Sequence, residues 1–278
     1  MSDARAYDPS IYQGTASFYA QGRPPYSRQL PALLVRELDV DGSGRLLDVG
    51  CGPGVLALML APFFTEAIGL DPDLDMLAEA SRLATERGIR NIRWIAGRAE
   101  DLPHPTPGPF QLVTFGQSFW WTDRFRVAEV VYDLLAPGGG MALISHQVQD
   151  RPQPPGPPHP PVPHEAIHRL LDRYLGPARR AGQGLRSMGQ ERDEDVLART
   201  RFGAPRRIFA PGRADIIWDI DHVVAGYYSM SYAAPHLFGD RLPAFDADLR
   251  AELRSHSAPG LFWDWPGDTE VLLARKPS

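Results

Sequence analysis

Short apolar runs alternate with amphipathic stretches over the first half of the chain. Five of these runs predict buried β-strands, at residues 45–49, 67–70, 92–96, 111–115 and 141–145. Between them, apolar residues recur at helical spacing, as at Met76, Ala80 and Leu83. Strands that alternate with helices through short turns predict a doubly wound α/β fold, with parallel strands and helices on both faces.

The second half of the chain breaks this pattern. Residues 151–161 are too rich in proline for a helix or a central strand and predict a semi-rigid connector. Helical spacing returns around Ile167–Tyr174 and Val223–Met230. We therefore expect four parts: an N-terminal segment (1–30), an α/β core (31–150), a mainly helical insertion with a late core strand (151–242), and a C-terminal helix with the last strand of the core (243–278).

The first predicted strand ends in a glycine-rich turn, Asp48-Val49-Gly50-Cys51-Gly52-Pro53-Gly54, and the second ends in Asp71. Glycines allow a sharp bend and a close backbone approach to a ligand, and a carboxylate placed like Asp71 accepts hydrogen bonds from ribose hydroxyls. The turn lacks the sixth-position glycine of a dehydrogenase fingerprint, because Val55 stands there. The pattern predicts a nucleotide-like cofactor; the alternative is an ordinary strand-to-helix turn.

Residues Leu47 to Gly54 resemble the first motif of class I S-adenosylmethionine (SAM) dependent methyltransferases. The resemblance implies a Rossmann-like seven-stranded sheet of order 3-2-1-4-5-7-6, SAM as cofactor and S-adenosylhomocysteine as product. It implies that Asp48 orients the loop or the cofactor's ammonium group. The implied core contacts to the cofactor are Asp48, Gly50, Cys51, Gly52, Gly54, Asp71, Pro72, Met76, Ala99, Glu100, Asp101, Gly116 and Gln117.

For several residues the resemblance implies a specific role, and for each of them an alternative role stays open. Met76 matches the position of an apolar side chain against adenine, or is a plain core residue. Glu100 or Asp101 would bind the adenine amino group beside the Ala99 amide, unless this segment is a solvated loop. The segment from Tyr12 to Tyr26 resembles a lid that folds over SAM. Within it, Tyr19 and Arg23 would hold the cofactor's carboxylate, unless the segment is a docking helix with a solvated arginine.

Candidates for the acceptor side are aromatic residues and histidines. Trp120 and Trp121 follow the fourth strand and form an apolar wall for an organic substrate or pack into the core, and Tyr227 is a further substrate contact. Methyl transfer needs positioning and exclusion of water more than a strong base. If the acceptor is a hydroxyl, His146 is the first candidate base and His222 the second; either is alternatively a structural histidine.

Composition narrows the function classes. The formal net charge is -5 and basic residues are spread along the 278 residues, so we expect no nucleic-acid partner. A single cysteine, the absence of an apolar leader and the absence of a ~20-residue apolar run lead us to expect a cytoplasmic protein without a membrane partner. No cysteine and histidine set has zinc-ligand spacing, so we expect no metal. The oligomeric state is left open.

The functional expectation is methyl transfer from SAM to a small organic metabolite, with an oxygen, nitrogen or carbon acceptor. The resemblance is to the small-molecule "type 11" (UbiE/MenG-like) group. Two alternatives stay open: a SAM-binding protein that does not transfer methyl, and a peptide or protein methyltransferase with an open groove in place of an enclosed pocket.

Overall fold

The computed structural model describes residues 8–146, 156–178, 180–181, 184–185, 191–213, 215–264 and 267–278. The predicted boundary at residue 150 and the first prolines of the predicted connector, up to 155, lie outside the described residues, as do residues 1–7. The helices are Ala16–Gly22 (α1), Leu30–Glu37 (α2), Val55–Leu60 (α3), Leu74–Glu86 (α4), Arg124–Leu134 (α5), His164–Leu175 (α6), Asp193–Ala198 (α7), Ile220–Tyr228 (α8) and Leu242–His256 (α9). The strands of the main sheet are Arg45–Val49 (β1), Glu66–Asp71 (β2), Ile92–Ala96 (β3), Phe110–Gly116 (β4), Leu135–His146 (β5), Arg206–Ala210 (β6) and Thr269–Arg275 (β7).

The main sheet has the order β3-β2-β1-β4-β5-β7-β6, which confirms the predicted topology. Strands β1 to β5 pair in parallel. Strand β7 runs antiparallel to both of its neighbours, with Thr269 opposite His146 of β5 and opposite Ala210 of β6. The carboxyl ends of the parallel strands therefore meet at one edge of the sheet, which is where ligands bind in such folds.

Both faces of the sheet are buried, as the uninterrupted apolar strands predict. Leu47 packs with the inner residues of α5, including Val127 and Val131, on one face. Its neighbour Leu46 faces the other way and packs with residues of α2 and α3. Successive side chains of a strand point to opposite faces, so a strand that is apolar at every position needs a helical layer on each side.

A third apolar cluster joins α6, α8 and α9 outside the sheet. Phe238 and Phe245 stack in it with ring centroids 4.1 Å apart. A small antiparallel pair, Ile217–Asp219 with Leu261–Trp263, borders this cluster and was not predicted. The expected helical insertion is therefore a layer that has its own apolar core.

The fifth strand was predicted at residues 141–145, and in the structure it begins six residues earlier. Strand β5 begins at Leu135, and Gly140 pairs with Leu112 across a register shift in β4. A side chain at Gly139 would lie 3.0 Å from the carbonyl oxygen of Gln111, so glycine here lets two backbones approach.

The N-terminal segment is fastened to the insertion by α1. A Cβ atom at Gly22 would lie 2.1 Å from the backbone nitrogen of Gly226 in α8, so the two helices cross in backbone contact. Phe18 adds an edge-on contact with Tyr228, with ring centroids 5.3 Å apart. The predicted lid is therefore held by the helical layer. Among the described residues, the structure contains no helix with the length and apolarity to cross a bilayer.

We expect Gly22→Ala to release α1 from α8, because no side chain fits against the Gly226 backbone. Amide hydrogen exchange of residues 16–22 should quicken at least about tenfold, equivalent to ~1.4 kcal/mol of lost protection, while the main sheet keeps its protection. The exposed Ser17→Ala is the matched control on the same helix. Unchanged exchange in Gly22→Ala would contradict this packing.

Candidate cofactor site

The predicted cofactor residues meet at the carboxyl edge of the sheet. Gly50, Asp71, Gly116 and His146 each stand at or directly after the end of one of the parallel strands β1, β2, β4 and β5. The loop after β1 folds back on β2, since the amides of Gly50 and Cys51 donate to the carbonyl of Leu70 at 2.8 and 3.1 Å. The structure thus brings residues scattered along 100 positions of sequence to one edge, as predicted.

Asp71 is the buried carboxylate at the centre of this edge. Its Oδ2 accepts a hydrogen bond from the Gly52 amide at 2.7 Å, and its Oδ1 accepts one from the Asp73 amide at 2.9 Å. Burial raises the pKa of Asp71 to about 6, against the lowering effect of these two hydrogen bonds. Because a carboxylate has about four acceptor positions, Asp71 retains capacity for further donors.

Asp48 lies deeper, and both of its oxygens accept hydrogen bonds from this chain. Thr114 donates its hydroxyl to Oδ1 at 2.7 Å, and the Ala57 amide of α3 donates to Oδ2 at 3.2 Å. Burial raises the pKa of Asp48 to about 7. These contacts join β1, β4 and α3, and the two roles that the resemblance implies for Asp48 stay predictions.

The glycines of the turn differ in what they do. All three have positive φ, which disfavours other residues. A Cβ atom at Gly50 would meet Ser118 at 2.5 Å, and one at Gly54 would meet Trp94 at 2.5 Å, so these two make room for the protein's own side chains. A Cβ at Gly52 would meet nothing within 4 Å, so Gly52 alone of the three borders open space.

The thiol of Cys51 and the side chain of Met76 are both buried. Burial raises the pKa of the Cys51 thiol, which keeps it protonated and unreactive. Met76 lies on the buried face of α4, and its amide donates to the cap residue Asp73 at 3.2 Å. Pro72 is half-buried between Asp71 and this cap.

The loop after β3 uses its acidic residues to fix its own conformation. Glu100 accepts a hydrogen bond from the Asp123 amide at 3.0 Å and forms an ion pair with Arg98 at 3.3 Å. Asp101 accepts from the Arg98 amide at 3.1 Å. Ala99 is buried, so its backbone lies inside the loop. The predicted adenine contacts therefore stay predictions, with Glu100 tied to the start of α5.

The turn after β4 is strained. Gln117 has a φ of 53°, a left-handed conformation that costs free energy for a residue other than glycine, and its amide donates to the Ile144 carbonyl at 3.0 Å. Ser118 donates its hydroxyl to the Val49 carbonyl at 2.6 Å. Trp120 and Trp121 follow, each 40% exposed, so both are placed on the surface and not in the core.

The N-terminal segment covers this edge through its aromatic residues. Tyr12 contacts Trp121 and Tyr19 edge-on, with ring centroids 6.2 and 6.5 Å apart. The Arg23 guanidinium lies 4.7 Å from the Tyr19 ring centroid and donates through Nη2 to the Ser229 carbonyl at 2.8 Å. The Nε of Arg23 is buried and has no hydrogen-bond partner among the described residues.

Tyr26 is the site residue that the sequence analysis missed. Its ring stacks on His146 at a centroid distance of 5.0 Å, and a side chain at Gly116 would lie 3.1 Å from its hydroxyl. Burial raises the pKa of Tyr26, while a hydrogen bond with Gln117 opposes the rise. The motif Arg23-Pro24-Pro25-Tyr26 was a signal, since its rigid prolines carry the chain across the edge.

The two candidate bases have different surroundings. The Nε2 of His146 lies 3.2 Å from the Pro24 carbonyl, beneath the N-terminal segment. The Nδ1 of His222 lies 2.7 Å from Asp219, the cap residue of α8. Tyr227 is buried in the helical layer, with its hydroxyl 2.8 Å from Nδ1 of His164. In the described part of the chain, no three or more His, Cys, Asp or Glu residues cluster as they would around a metal ion.

The raised pKa values of Asp48 and Asp71 predict a pH dependence of stability. Above about pH 4 the unfolded carboxyls ionise while the folded ones retain their protons, so the free energy of unfolding falls as pH rises towards 7. We expect Asp48→Asn to reduce this fall by more than ~1 kcal/mol, since one proton over one pH unit contributes ~1.4 kcal/mol.

Urea unfolding at about pH 5 and about pH 8 measures this difference. The control is Asp75→Asn, an exposed carboxyl in the first turn of α4. An equal fall in Asp48→Asn and in the unaltered protein would contradict the raised pKa.

Comparison with known proteins identifies the core. A family described as "Methyltransferase domain" matches residues 46–139. The chain is 31% identical over 121 residues to the uncharacterized methyltransferase YcgJ of Bacillus subtilis, a match that covers 43% of this chain and 47% of YcgJ. It is 36% identical over 85 residues to the 2-heptyl-1-hydroxyquinolin-4(1H)-one methyltransferase of Mycobacteroides abscessus, over 30% of this chain and 37% of that protein. The matches thus span less than half of these curated relatives.

Solved structures extend the likeness of fold beyond the core. The YcgJ structure has a TM-score of 0.50 at 18% identity and covers 89% of this chain and 97% of its own. The cyclase SpnF has a TM-score of 0.53 at 19% identity and covers 99% of both chains. The domain match begins in β1 and ends within β5, about a third of the chain, and the sheet order is the one that the resemblance to class I methyltransferases implies. Residues 46–139 therefore match a methyltransferase domain, and S-adenosylmethionine is the cofactor that this match supports.

Proposed function

We propose that the protein transfers a methyl group from SAM to a small organic metabolite. The observation that carries the proposal is the buried Asp71 carboxylate, which fixes the Gly52 amide and has acceptor capacity left at the carboxyl edge of the sheet. Ribose hydroxyls are donors that fit this capacity, and Gly52 is the glycine beside it that borders open space.

The residues at the edge fit the chemical groups of SAM. Asp71 would accept from the ribose, and the open backbone at Gly52 would approach the methionine part. The buried Nε of Arg23, unpartnered among the described residues, would donate to the carboxylate, with Tyr19 beside it. Met76 and the loop Ala99–Asp101 would enclose adenine. When bound, SAM supplies a methyl group on positively charged sulfur, so the protein's own task is to orient the acceptor and exclude water.

A small acceptor is favoured over a protein by the covering of the edge. The N-terminal segment crosses it, with Tyr12 against Trp121 and Tyr26 on His146, and α1 is fixed to α8. A site crossed by a chain segment in this way favours a small molecule, whereas a peptide substrate needs an open groove. The methyltransferase of a hydroxyquinolinone among the relatives supports the same class of acceptor.

The second candidate is a SAM-binding protein that catalyses no methyl transfer. Its support is the likeness to the cyclase SpnF, which spans nearly the whole of both chains. A product assay separates the two. The protein is incubated with SAM and with phenols, carboxylic acids or amines, and S-adenosylhomocysteine is quantified by mass spectrometry. Release that depends on an acceptor supports methyl transfer; tight SAM binding without release by any acceptor supports the second candidate.

The cofactor site itself is tested by Asp71→Ala. We expect the affinity for S-adenosylhomocysteine, measured by calorimetry, to fall about tenfold to a hundredfold, because hydrogen bonds to an ionised group contribute ~1.5–3 kcal/mol. Asp75→Ala, an exposed carboxylate nearby in sequence, should bind like the unaltered protein. Undiminished affinity in Asp71→Ala would refute the assignment, and circular dichroism checks that the variant is folded.

A further inference from the structure

A cavity of about 410 Å³ lies between α1, residues 213 and 215–218, and the first turn of α8. This volume is in the range of small-molecule sites. The residues that give it its chemistry are Arg23, Pro25, Arg213, Ile217, Trp218 and His222. Arg23 is the one lining residue that is also predicted to bind the cofactor, so the cavity requires a separate explanation.

One wall of the cavity is apolar. Ile217 lies on the short strand Ile217–Asp219 and is 46% exposed, although it is a large apolar residue. Its neighbour Trp218 points to the opposite face of the strand and is buried, and its indole nitrogen donates to the Asp264 carbonyl at 3.2 Å. An apolar ligand would cover the exposed surface of Ile217.

The polar groups of the cavity favour a negative charge on a ligand. Arg213 forms a two-pronged ion pair with Asp215 at 2.9 and 2.8 Å, but Asp215 is largely exposed, so solvent weakens the pair. Arg23 forms no ion pair with a carboxylate among the described residues. Two guanidinium groups therefore border a cavity in which one carboxylate faces them.

His222 is oriented as a proton acceptor in this cavity. Its Nδ1 lies 2.7 Å from Oδ1 of Asp219, so Nδ1 carries the proton and Nε2 is the basic nitrogen of the neutral ring. Asp219 also accepts a hydrogen bond from the His222 backbone amide at 2.8 Å, which fixes the pair of side chains, Asp219 and His222, at the start of α8. Although partial burial opposes it, these hydrogen bonds lower the pKa of Asp219 and keep it ionised beside the imidazole.

The cavity adjoins the cofactor edge through one short segment. Pro25 lines the cavity, while Pro24 contacts His146 and the Tyr26 hydroxyl lies at Gly116. Arg23 lines the cavity and also stacks on Tyr19. Within four residues the chain therefore borders both spaces.

We propose that this cavity is the acceptor site of the enzyme and that its ligand is an apolar compound with an acidic hydroxyl, such as a phenol or enol. His222 is the catalytic base, and Asp219 is its positioning residue. The proposal rests on the proposed function, since it names the acceptor of that reaction.

In the transfer step, the hydroxyl oxygen of the acceptor attacks the methyl carbon of the donor. A carbon–oxygen bond forms while the carbon–sulfur bond breaks, and the electron pair of the broken bond stays on sulfur. The hydroxyl proton passes to Nε2 of His222, and Asp219 stabilises the resulting imidazolium until solvent takes the proton. Arg213 stabilises the phenolate oxygen as the proton leaves it.

The test uses 2-naphthol, a flat apolar compound whose absorbance distinguishes its neutral form from its ionised form. We expect the full chain, saturated with S-adenosylhomocysteine, to bind 2-naphthol and to raise its ionised fraction above that in buffer. His222→Gln should keep the binding, because glutamine still accepts a hydrogen bond, but should lower the ratio of ionised to neutral probe about tenfold. The control is His256→Gln, on the exposed end of α9.

A second variant tests the apolar wall. Ile217→Asp should weaken 2-naphthol binding at least about tenfold, because it places a carboxylate against the ring. Phe209→Asp, an equally exposed apolar position on β6, should bind normally. Failure of the unaltered protein to bind 2-naphthol, an ionised fraction unaffected by His222→Gln, or normal binding by Ile217→Asp would each overturn the inference.

Calorimetry with S-adenosylhomocysteine on the same samples separates the two claims. All of these variants should bind it as the unaltered protein does, since none alters the cofactor residues. A protein that binds S-adenosylhomocysteine but fails the naphthol tests refutes only the acceptor site. A protein that does not bind S-adenosylhomocysteine refutes the proposed function, and the acceptor site with it.

Discussion

The hydrogen bond from the Gly52 amide to the Asp71 carboxylate, 2.7 Å long, is the interaction on which the candidate site depends. It ties the glycine loop after β1 to the end of β2, and the second oxygen of Asp71 fixes the Asp73 amide at the start of α4. A buried carboxylate is costly unless it is hydrogen-bonded, and the raised pKa of Asp71 records that cost. A ligand that donates further hydrogen bonds to Asp71 offsets it, so the cost of burying Asp71 and the affinity for a ribose have the same physical origin.

The second constraint is the backbone contact between Gly22 and Gly226. It couples the N-terminal segment to the helical layer, so that residues far apart in the sequence, such as Arg23 and His222, border the same cavity. Arg23 follows this contact directly and donates to the Ser229 carbonyl just beyond α8. The covering of the cofactor edge and the shape of the neighbouring cavity are thereby set by the same pair of helices, and movement of α1 would open both together.

The sheet was predictable because its signals are local and repeated. Strand β1 is apolar at Leu46 and Leu47, which face opposite layers, and Asp71 ends β2 at the spacing that the turn requires. The helical layer was less predictable, because the pairing of Ile217–Asp219 with Leu261–Trp263 joins segments far apart in sequence. The same holds for the site: Asp48 and Asp71 carry a motif, whereas the placement of Tyr26 on His146 depends on how a proline segment crosses the finished sheet. Periodicity likewise predicted that the fifth strand begins at residue 141, whereas pairing with β4 extends the strand back to Leu135.

The central claim is that the carboxyl edge at Asp71 receives the adenosyl part of SAM. A crystal structure of the protein with S-adenosylhomocysteine tests it most directly. Our account predicts both ribose hydroxyls within hydrogen-bonding distance of the Asp71 carboxylate, with the Gly52 backbone against the amino-acid part of the ligand. A ligand bound elsewhere, or one whose ribose faces away from Asp71, would contradict it.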